Sequence, residues 1–241
     1  MSLDLIRPDW PAPGNVHAFT TTRKGGKSRG SWNSLNLGSH CGDDSAAVLG
    51  NRAMLERLLP ASPQWLRQVH GIRVIVHPSI AVGEIEGDAL LARSGGRVCA
   101  VLTADCLPVF FCNDQGNCVA VAHAGWRGLA SGVLQATVAA MDEALEHVMA
   151  WLGPAIGPSA YEVGEEVRQA FGDEASACFE RRGERWLFNL YGAARIKLSQ
   201  IGIGRIYGGG FCTFSDEERF FSYRRDGVTG RMASVIWLSP E

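Results

Sequence analysis

The chain has 241 residues, of which 46% are hydrophobic and 20% are charged, values that are ordinary for a globular protein with a sizeable core. Its formal net charge of −2 offers no excess positive charge for nucleic acid or for an anionic membrane surface, so neither partner is expected. The sequence shows no apolar leader before Pro13 and no run of about 20 apolar residues, which favours a cytoplasmic location.

The first half of the chain predicts one helix among short strands. A strand is predicted at residues 16–22, and Asp43 or Asp44 is placed to cap a helix that ends near Leu59, before Pro60. Several of the following apolar runs are continuous, as in strands that are covered on both faces. These strands are predicted at residues 65–69, 73–76, 88–92, 98–103, 109–112 and 118–122.

The second half predicts a long helix over residues 128–147, because apolar side chains recur there every four residues. A strand at 148–152, helices at 165–171 and 190–201, and strands at 205–207 and 233–238 follow. Hairpin-length gaps between strands argue against a purely parallel sheet. The sequence therefore predicts an α+β fold, a mixed α/β sandwich with helices packed outside mixed sheets, in a single domain over residues 1–241.

Two histidines and one cysteine stand near the ends of predicted strands. His70 and His123 each follow an apolar run, and Cys106 precedes Pro108. Two imidazoles and a thiolate suit zinc or copper, and three protein ligands leave the fourth position open, as in catalytic zinc sites. Spacing alone also allows the three to be satisfied core residues. Of the other cysteines, three in strand-like runs are predicted to be buried: Cys99, Cys112 and Cys118.

Two charged residues near these positions have alternative interpretations. Asp105 either supports the site or caps a turn, since on a regular strand it faces away from Cys106. Arg127 stands just before the long helix, where it either helps to bind an anion or packs on Trp126 at the surface. Residues 222–226 form a further polar cluster, which an ordinary solvated turn also explains.

Six motifs occur in a fixed order along the chain: SLNLG at 34–38, QVHG at 68–71, TADCLP at 103–108, HAGWRG at 123–128, LGPAIGP at 152–158 and FSYR at 221–224. Together, over about residues 10–238, the sequence resembles the YfiH-type laccase-domain family, also called the multicopper polyphenol oxidase family. The resemblance implies a metal, Zn²⁺ or possible Cu²⁺, on His70, Cys106 and His123. It also implies phosphorolysis of adenosine, inosine and methylthioadenosine, and deamination of adenosine.

For the implied activity, we expect the following site residues and partners. Asp105 and Arg127 are expected to be catalytic, with Asp105 carrying a proton in deamination. Asn36, Gln68, Arg127 and Arg224 are expected to bind substrate, with the two arginines positioning phosphate. The expected partners are a small nucleoside and phosphate, and the chain is expected to be a monomer or a weak homo-oligomer.

Three other functions stay open at this point. A laccase-like copper oxidase of phenols is one, although six histidines and no His-x-His pair are too few for a full multicopper centre. A metal-independent cysteine hydrolase would pair Cys106 with His70 or His123. A metal-binding scaffold without catalytic activity is the third. The sequence assigns no substrate among the nucleosides, no native metal, and no role to Cys178 or Cys212.

Overall fold

The computed structural model describes residues 3–78 and 83–240. Two main β-sheets pack face to face, with helices on both outer surfaces. The strands are β1 (Leu5–Ile6), β2 (Val16–Thr21), β3 (Leu66–Arg67), β4 (Val74–Val76), β5 (Ile85–Glu86), β6 (Ala89–Ala92), β7 (Cys99–Thr103), β8 (Leu107–Asn113), β9 (Val119–Ala124), β10 (Val148–Leu152), β11 (Glu162–Val163), β12 (Phe179–Arg182), β13 (Arg185–Phe188), β14 (Arg205–Gly208) and β15 (Met232–Leu238). The α-helices are α1 (Ser45–Glu56), α2 (Trp126–Ser131), α3 (Val133–Met141), α4 (Glu165–Phe171), α5 (Leu190–Gln200) and α6 (Tyr223–Asp226).

The two main sheets have different strand orders and both directions of pairing. The larger sheet has the order β14-β10-β8-β9-β6-β4, with parallel pairs at its two edges and antiparallel pairs between them. The smaller sheet has the order β1-β2-β15-β7 and is antiparallel. The predicted α+β class, with mixed sheets and helices outside, is confirmed.

Side chains alternate between the two faces of the larger sheet, which places the core in layers. Leu91 and Phe111 pack among α2, α3 and α5, whereas Leu90 and Phe110 pack against the smaller sheet. The far face of the smaller sheet is covered by α1, which contributes Leu55 to that cluster. The gap between the sheets is therefore apolar, and its open end is where polar side chains can reach solvent.

The predicted helix at 128–147 is wrong in its extent. Gly132, with φ 101°, separates α2 from α3, and Asp142, with φ 48°, ends α3. Left-handed backbone cannot continue a right-handed helix, so the apolar period crosses a break that its spacing does not reveal. Residues Leu145–His147 form a separate 3₁₀ turn before β10.

Other predicted elements are shorter than expected or were missed. The strand predicted at 65–69 is reduced to β3, because His70 has a φ of 58° and the chain turns there. Asp44, rather than Asp43, caps α1, its carboxylate accepting from the Ala46 N–H at 3.0 Å. The small sheet β11-β13-β12 and the single-turn helix α6 were not predicted. Among the described residues, no helix is long and apolar enough to cross a membrane.

Candidate metal centre

His70, Cys106 and His123 converge at the open end of the gap between the two main sheets. His70 lies in the turn after β3, Cys106 in the turn from β7 to β8, and His123 in β9. By strand alternation, His123 shares the face that Val119 and Val121 present to the smaller sheet. One ligand atom from each of the three residues lies within 4.8 Å of the other two. Three segments that are distant in sequence thus present three soft-to-borderline ligands to one point.

The ligand atoms lie close together, at separations slightly wider than those around a bound tetrahedral ion. Zinc bonds of about 2.3 Å to sulfur and about 2.0–2.1 Å to nitrogen place tetrahedral neighbours roughly 3.3–3.6 Å apart. Cys106 Sγ lies 3.8 Å from His70 Nε2, and all three ligand atoms lie within 4.8 Å of one another. The donor set is therefore suitable for zinc or copper, with one position left over.

Asp88 holds two of the three candidate ligands in place. Its fully buried carboxylate accepts from the backbone N–H groups of Val69, His70 and Gly71 at 3.3, 2.9 and 2.7 Å. These bonds fix the turn in which His70 adopts a positive φ, a conformation that costs energy for a residue other than glycine. Asp88 therefore determines where the His70 ring stands.

The same carboxylate orients the second histidine. Nδ1 of His123 donates to Asp88 Oδ1 at 2.9 Å, and the His123 side chain is buried. A donor at Nδ1 leaves Nε2 as the unprotonated nitrogen in the neutral ring, which is the form that binds a metal. Carboxylate–histidine pairs of this kind commonly support metal-binding imidazoles.

Charge interactions at the site favour a thiolate on Cys106. Burial by itself raises the pKa of this thiol, but the charge and hydrogen bonds of His123, together with His70, lower it to about 6. Burial likewise lowers the pKa of His123, whereas Cys106 and Asp88 raise it to about 9. A thiolate is the form of cysteine that binds metals and the form that attacks electrophiles.

Gly125 leaves the space that the side chains of His70 and Cys106 occupy. A Cβ atom at this position would lie 2.8 Å from His70 Cδ2 and 2.9 Å from Cys106 Sγ. The backbone there has φ −63° and ψ 159°, which any residue can adopt. The glycine is thus required by the close approach of His70 and Cys106, not by its conformation.

Substituting alanine at Gly125 tests this close approach. We expect Gly125→Ala to lower zinc affinity roughly 10- to 100-fold, because the added methyl group displaces the ring and the sulfur. Gly204→Ala is the matched control, since nothing lies within 4 Å of a Cβ there. Competition with a chromophoric chelator measures both affinities, and equal affinities would contradict the assigned role of Gly125.

A pocket of about 480 Å³ opens beside the three candidate ligands, within the size range of small-molecule sites. It lies between the loop at residues 38–41, the strands β3 and β7, and the start of α6. Its lining combines apolar and polar side chains, which include Leu66, Gln68, Leu102, Tyr223 and Arg231. Such a mixed lining is typical of small-molecule sites.

Asp105 lies next to the site, with both carboxylate oxygens engaged. Thr213 Oγ1 donates to Oδ1 at 2.6 Å and the backbone N–H of Arg224 donates to Oδ2 at 2.7 Å. The residue has a φ of 90°, so the chain turns between β7 and β8. Asp105 is therefore not in a regular strand, and strand alternation does not require it to face away from Cys106. In this arrangement Asp105 ties α6 to the turn that carries Cys106.

The two arginines expected at the site stack on aromatic rings. Arg127 Cζ lies 4.3 Å from the Trp126 ring centroid, and Arg224 Cζ lies 5.3 Å from the Tyr161 centroid. Arg127 is exposed, and Arg224 also donates from Nη1 to the carbonyl of Glu162. Neither arginine lines the pocket.

The two amides expected to bind substrate are engaged by the backbone. Gln68 exchanges two hydrogen bonds with Leu102, at 2.8 and 2.7 Å, although its side chain still lines the pocket. Asn36 is fully buried and holds Gly38 and Arg231, which do line the pocket. Asn36 therefore shapes the pocket through its neighbours, and direct contact with a substrate stays a prediction for both amides.

The sequence alone does not reveal two residues of the site, Asp88 and Gly125. Asp88 begins a predicted strand, and a carboxylate before a fully apolar run is a signal that could have identified it. Gly125 lies in the HAGWRG motif, but the neighbouring sequence does not show which side chains approach it. Cys99, Cys112 and Cys118 are buried, as predicted.

Comparison with known proteins shows the family to which the chain belongs. The family model described as multi-copper polyphenol oxidoreductase laccase matches residues 17–239. The chain is 51% identical to purine nucleoside phosphorylase YfiH of Escherichia coli, over 97% of this chain and 98% of the relative. It is 49% identical to a purine nucleoside phosphorylase of Pseudomonas aeruginosa, over 97% and 98% of the two chains.

Solved structures show the same fold. A crystal structure of a Neisseria meningitidis protein superposes with a TM-score of 0.94 at 49% identity, covering 98% of this chain and 99% of that one. YlmD from Geobacillus stearothermophilus gives a TM-score of 0.92 at 31% identity, covering 99% and 97%. The chain belongs to the laccase-like YfiH family.

Proposed function

We propose that this protein is a metal-dependent purine nucleoside phosphorylase that accepts adenosine, inosine and methylthioadenosine and also deaminates adenosine. The observation that carries the proposal is the His70, Cys106 and His123 cluster beside a pocket of about 480 Å³. The full-length likeness to enzymes named purine nucleoside phosphorylase supports the substrate class.

The three residues would hold zinc, or copper in its place. A metal at this point would act as a Lewis acid that polarises a substrate oxygen or a water molecule. Gly125 leaves room for the ligand side chains, and Asp88 fixes two of them. The protein thus supplies a rigid donor set, which is what catalysis at a metal requires of its scaffold.

Phosphorolysis requires that two substrates meet in a defined orientation. An oxygen of phosphate forms a bond to C1′ of the ribose while the glycosidic bond breaks. The electron pair of the glycosidic bond leaves with the purine. The pocket would hold the nucleoside against Leu66, Leu102 and Tyr223. Arg127 and Arg224 would bind phosphate and offset its charge, because guanidinium groups match phosphate oxygens in geometry.

Deamination needs a group that moves a proton between water and the leaving ammonia. Asp105 is the carboxylate proposed for this step, by analogy with the glutamate of zinc deaminases. Its present contacts with Thr213 and Arg224 support a positioning role first, and proton transfer would require that it exchange one of them. The catalytic role of Asp105 stays a prediction.

The proposal is tested with purified, zinc-loaded protein and adenosine, with and without phosphate. With phosphate, we expect purine base and ribose 1-phosphate, together with the inosine and ammonia of deamination. Without phosphate, we expect inosine and ammonia alone. Neither product at full zinc loading would refute the proposal. Phenol oxidation that persists after strict zinc loading would instead favour the copper oxidase.

A metal-independent cysteine hydrolase is the second candidate, because the lowered pKa of Cys106 also suits a nucleophile. The two functions differ in their response to metal removal. Chelation should abolish phosphorolysis but leave a thiolate nucleophile active. Two results together would favour the hydrolase: Cys106 is alkylated at the same rate with and without chelator, and turnover is unchanged by the chelator.

A further inference from the structure

One wall of the pocket is the loop of residues 38–41, which precedes α1 and has no regular secondary structure. The two ends of this loop are held by residues that come shortly before it. The Asn36 amide accepts from the Gly38 N–H at 2.9 Å and donates to the Gly38 carbonyl at 3.2 Å. At the other end, Trp32 Nε1 donates to the Cys41 carbonyl at 3.0 Å. The middle of the loop depends on different contacts.

Glu84 holds the middle of the loop through its carboxylate. Ser39 Oγ donates to Oε1 at 3.1 Å, and His40 Nε2 lies 2.7 Å from Oε2. Arg52 Nη2 lies 3.7 Å from Oε1 and donates to the Ser39 hydroxyl at 3.4 Å. Burial raises the pKa of Glu84, but hydrogen bonds from His40 and Ser39 and the charges of His40 and Arg52 bring it below its ordinary value. The carboxylate is therefore ionised near neutral pH.

The partners that fix Glu84 lie on regular elements of the fold. Glu84 directly precedes β5, which pairs in parallel with β3, and β3 leads into the turn that carries His70. Arg52, on α1, stacks on Trp65 at 4.3 Å from its ring centroid and donates to the Leu37 carbonyl at 2.9 Å. Glu84 thus joins the irregular loop to the strand pair that leads to the metal centre.

The loop is packed so closely that a shift of its middle residues would change the pocket. A Cβ atom at Gly38 would lie 2.7 Å from Cys41 Sγ and 2.8 Å from Arg231 Cγ, so these two side chains occupy the space beside the glycine. Both Cys41 and Arg231 line the pocket. A displaced loop would therefore move atoms of the pocket wall, although it contains none of the three candidate metal ligands.

We propose that Glu84 is a positioning residue for the nucleoside, because it holds the 38–41 loop in the place where the loop forms a wall of the pocket. The inference rests on the proposed function for the identity of the ligand. Glu84 itself does not line the pocket, so it acts through the loop. When a binding-competent conformation is populated for only a fraction of the time, the apparent affinity falls by that fraction. Loss of Glu84 should therefore weaken nucleoside binding and leave zinc affinity unchanged.

Glu84→Ala tests this role through separate values of KM and kcat. We expect the KM for adenosine to rise about ten-fold, the effect of losing one hydrogen bond to a charged group. The kcat should stay within about two-fold of the wild type, and the zinc content should be unchanged. Glu84→Gln keeps an oxygen for Ser39 but loses the charge, so its KM should lie between those of the wild type and Glu84→Ala. An unchanged KM, or a fall in kcat alone, would overturn the inference.

Glu143→Ala is the matched control. Glu143 pairs with Arg93 at 3.0 Å, and its side chain is 18% exposed, against 25% for Glu84. Neither Glu143 nor Arg93 lines the pocket, so this substitution should leave both KM and kcat at their wild-type values. A KM that rises equally in both alanine variants would also overturn the inference, since it would show a general structural effect.

Alkylation of Cys41 follows the loop without any nucleoside. Cys41 is partly buried and burial raises its pKa, so its thiol should react slowly in the wild type. In Glu84→Ala we expect labelling about ten-fold faster, because the loop leaves its place more often. Cys99, which is fully buried, reports global unfolding and should stay unlabelled. Unchanged labelling of Cys41 would overturn the inference, as would equal labelling of Cys99.

The two measurements separate this inference from the proposed function. If the zinc-loaded wild type shows no phosphorolysis and no deamination, the proposed function fails. The labelling rates then still decide whether Glu84 holds the loop. If the wild type is active and Glu84→Ala shows neither a higher KM nor faster labelling of Cys41, the positioning role fails and the proposed function stands.

Discussion

Replacing Cys106 by serine is expected to reduce zinc affinity by more than about 100-fold and to reduce phosphorolysis in proportion. Removing only a supporting group around a metal ligand costs roughly 10–100-fold, and serine removes the ligand itself, because a hydroxyl does not ionise near neutral pH as the thiol does. The interactions with His123 and His70 that lower the thiol pKa to about 6 are lost with the sulfur. Elemental analysis beside a nucleoside product assay measures both effects.

Cys212→Ser is the control for this substitution. Cys212 Sγ accepts a hydrogen bond from the Gly157 N–H at 3.2 Å and from Ser215 Oγ at 3.3 Å, so a serine hydroxyl can take over these contacts. The Cys212→Ser protein should retain full zinc content and full activity. A Cys106→Ser protein that still holds one zinc ion per chain and turns over at the wild-type rate would exclude Cys106 as a ligand.

Replacing Asp88 by asparagine is expected to weaken both the fold and the metal centre. In the wild type, backbone N–H groups point at the carboxylate oxygens of the fully buried Asp88. Asparagine would place an NH₂ group among these donors, and the buried site offers no other partner for them. We expect a loss of about 2–4 kcal/mol in the free energy of unfolding, and a zinc affinity about 10–100-fold lower. Urea denaturation of the zinc-free protein separates the first effect from the second.

The chain contains a matched control for Asp88 in an exposed carboxylate–histidine pair. Asp114 Oδ2 lies 3.2 Å from His147 Nδ1, and both side chains are largely exposed. Solvent-exposed pairs contribute roughly 0–1 kcal/mol, so Asp114→Asn should change stability little and zinc affinity not at all. Equal effects of the two substitutions would show that Asp88 has no special role at the metal centre.

Most of the secondary structure follows from the hydrophobic pattern, and its failures have local causes. Helix α4 was predicted with its observed limits, Glu165–Phe171, because its apolar period and its flanking glycines agree. The helix at 128–147 fails because Gly132 and Asp142 adopt left-handed backbone while the apolar spacing continues past them. The short strands β11, β12 and β13 carry too few residues for a period to be visible.

The candidate site was predictable only in part. Position at strand ends indicates His70, Cys106 and His123 as candidate ligands, but spacing alone also allows them to be core residues. The family motifs favour the metal site. Asp88 was missed because its partners, His123 and the turn after Val69, come together only through the pairing of β6 with β9. Contacts made by strand pairing between distant segments leave no periodic signal in a single sequence.

X-ray absorption at the zinc edge of the loaded wild type would identify the metal ligands. With one zinc ion per chain, we expect one sulfur neighbour at about 2.3 Å, two imidazole nitrogens at about 2.0–2.1 Å and one further light-atom neighbour. A first shell made of oxygen alone, or one with no sulfur at full occupancy, would contradict the assignment of His70, Cys106 and His123 as the metal ligands.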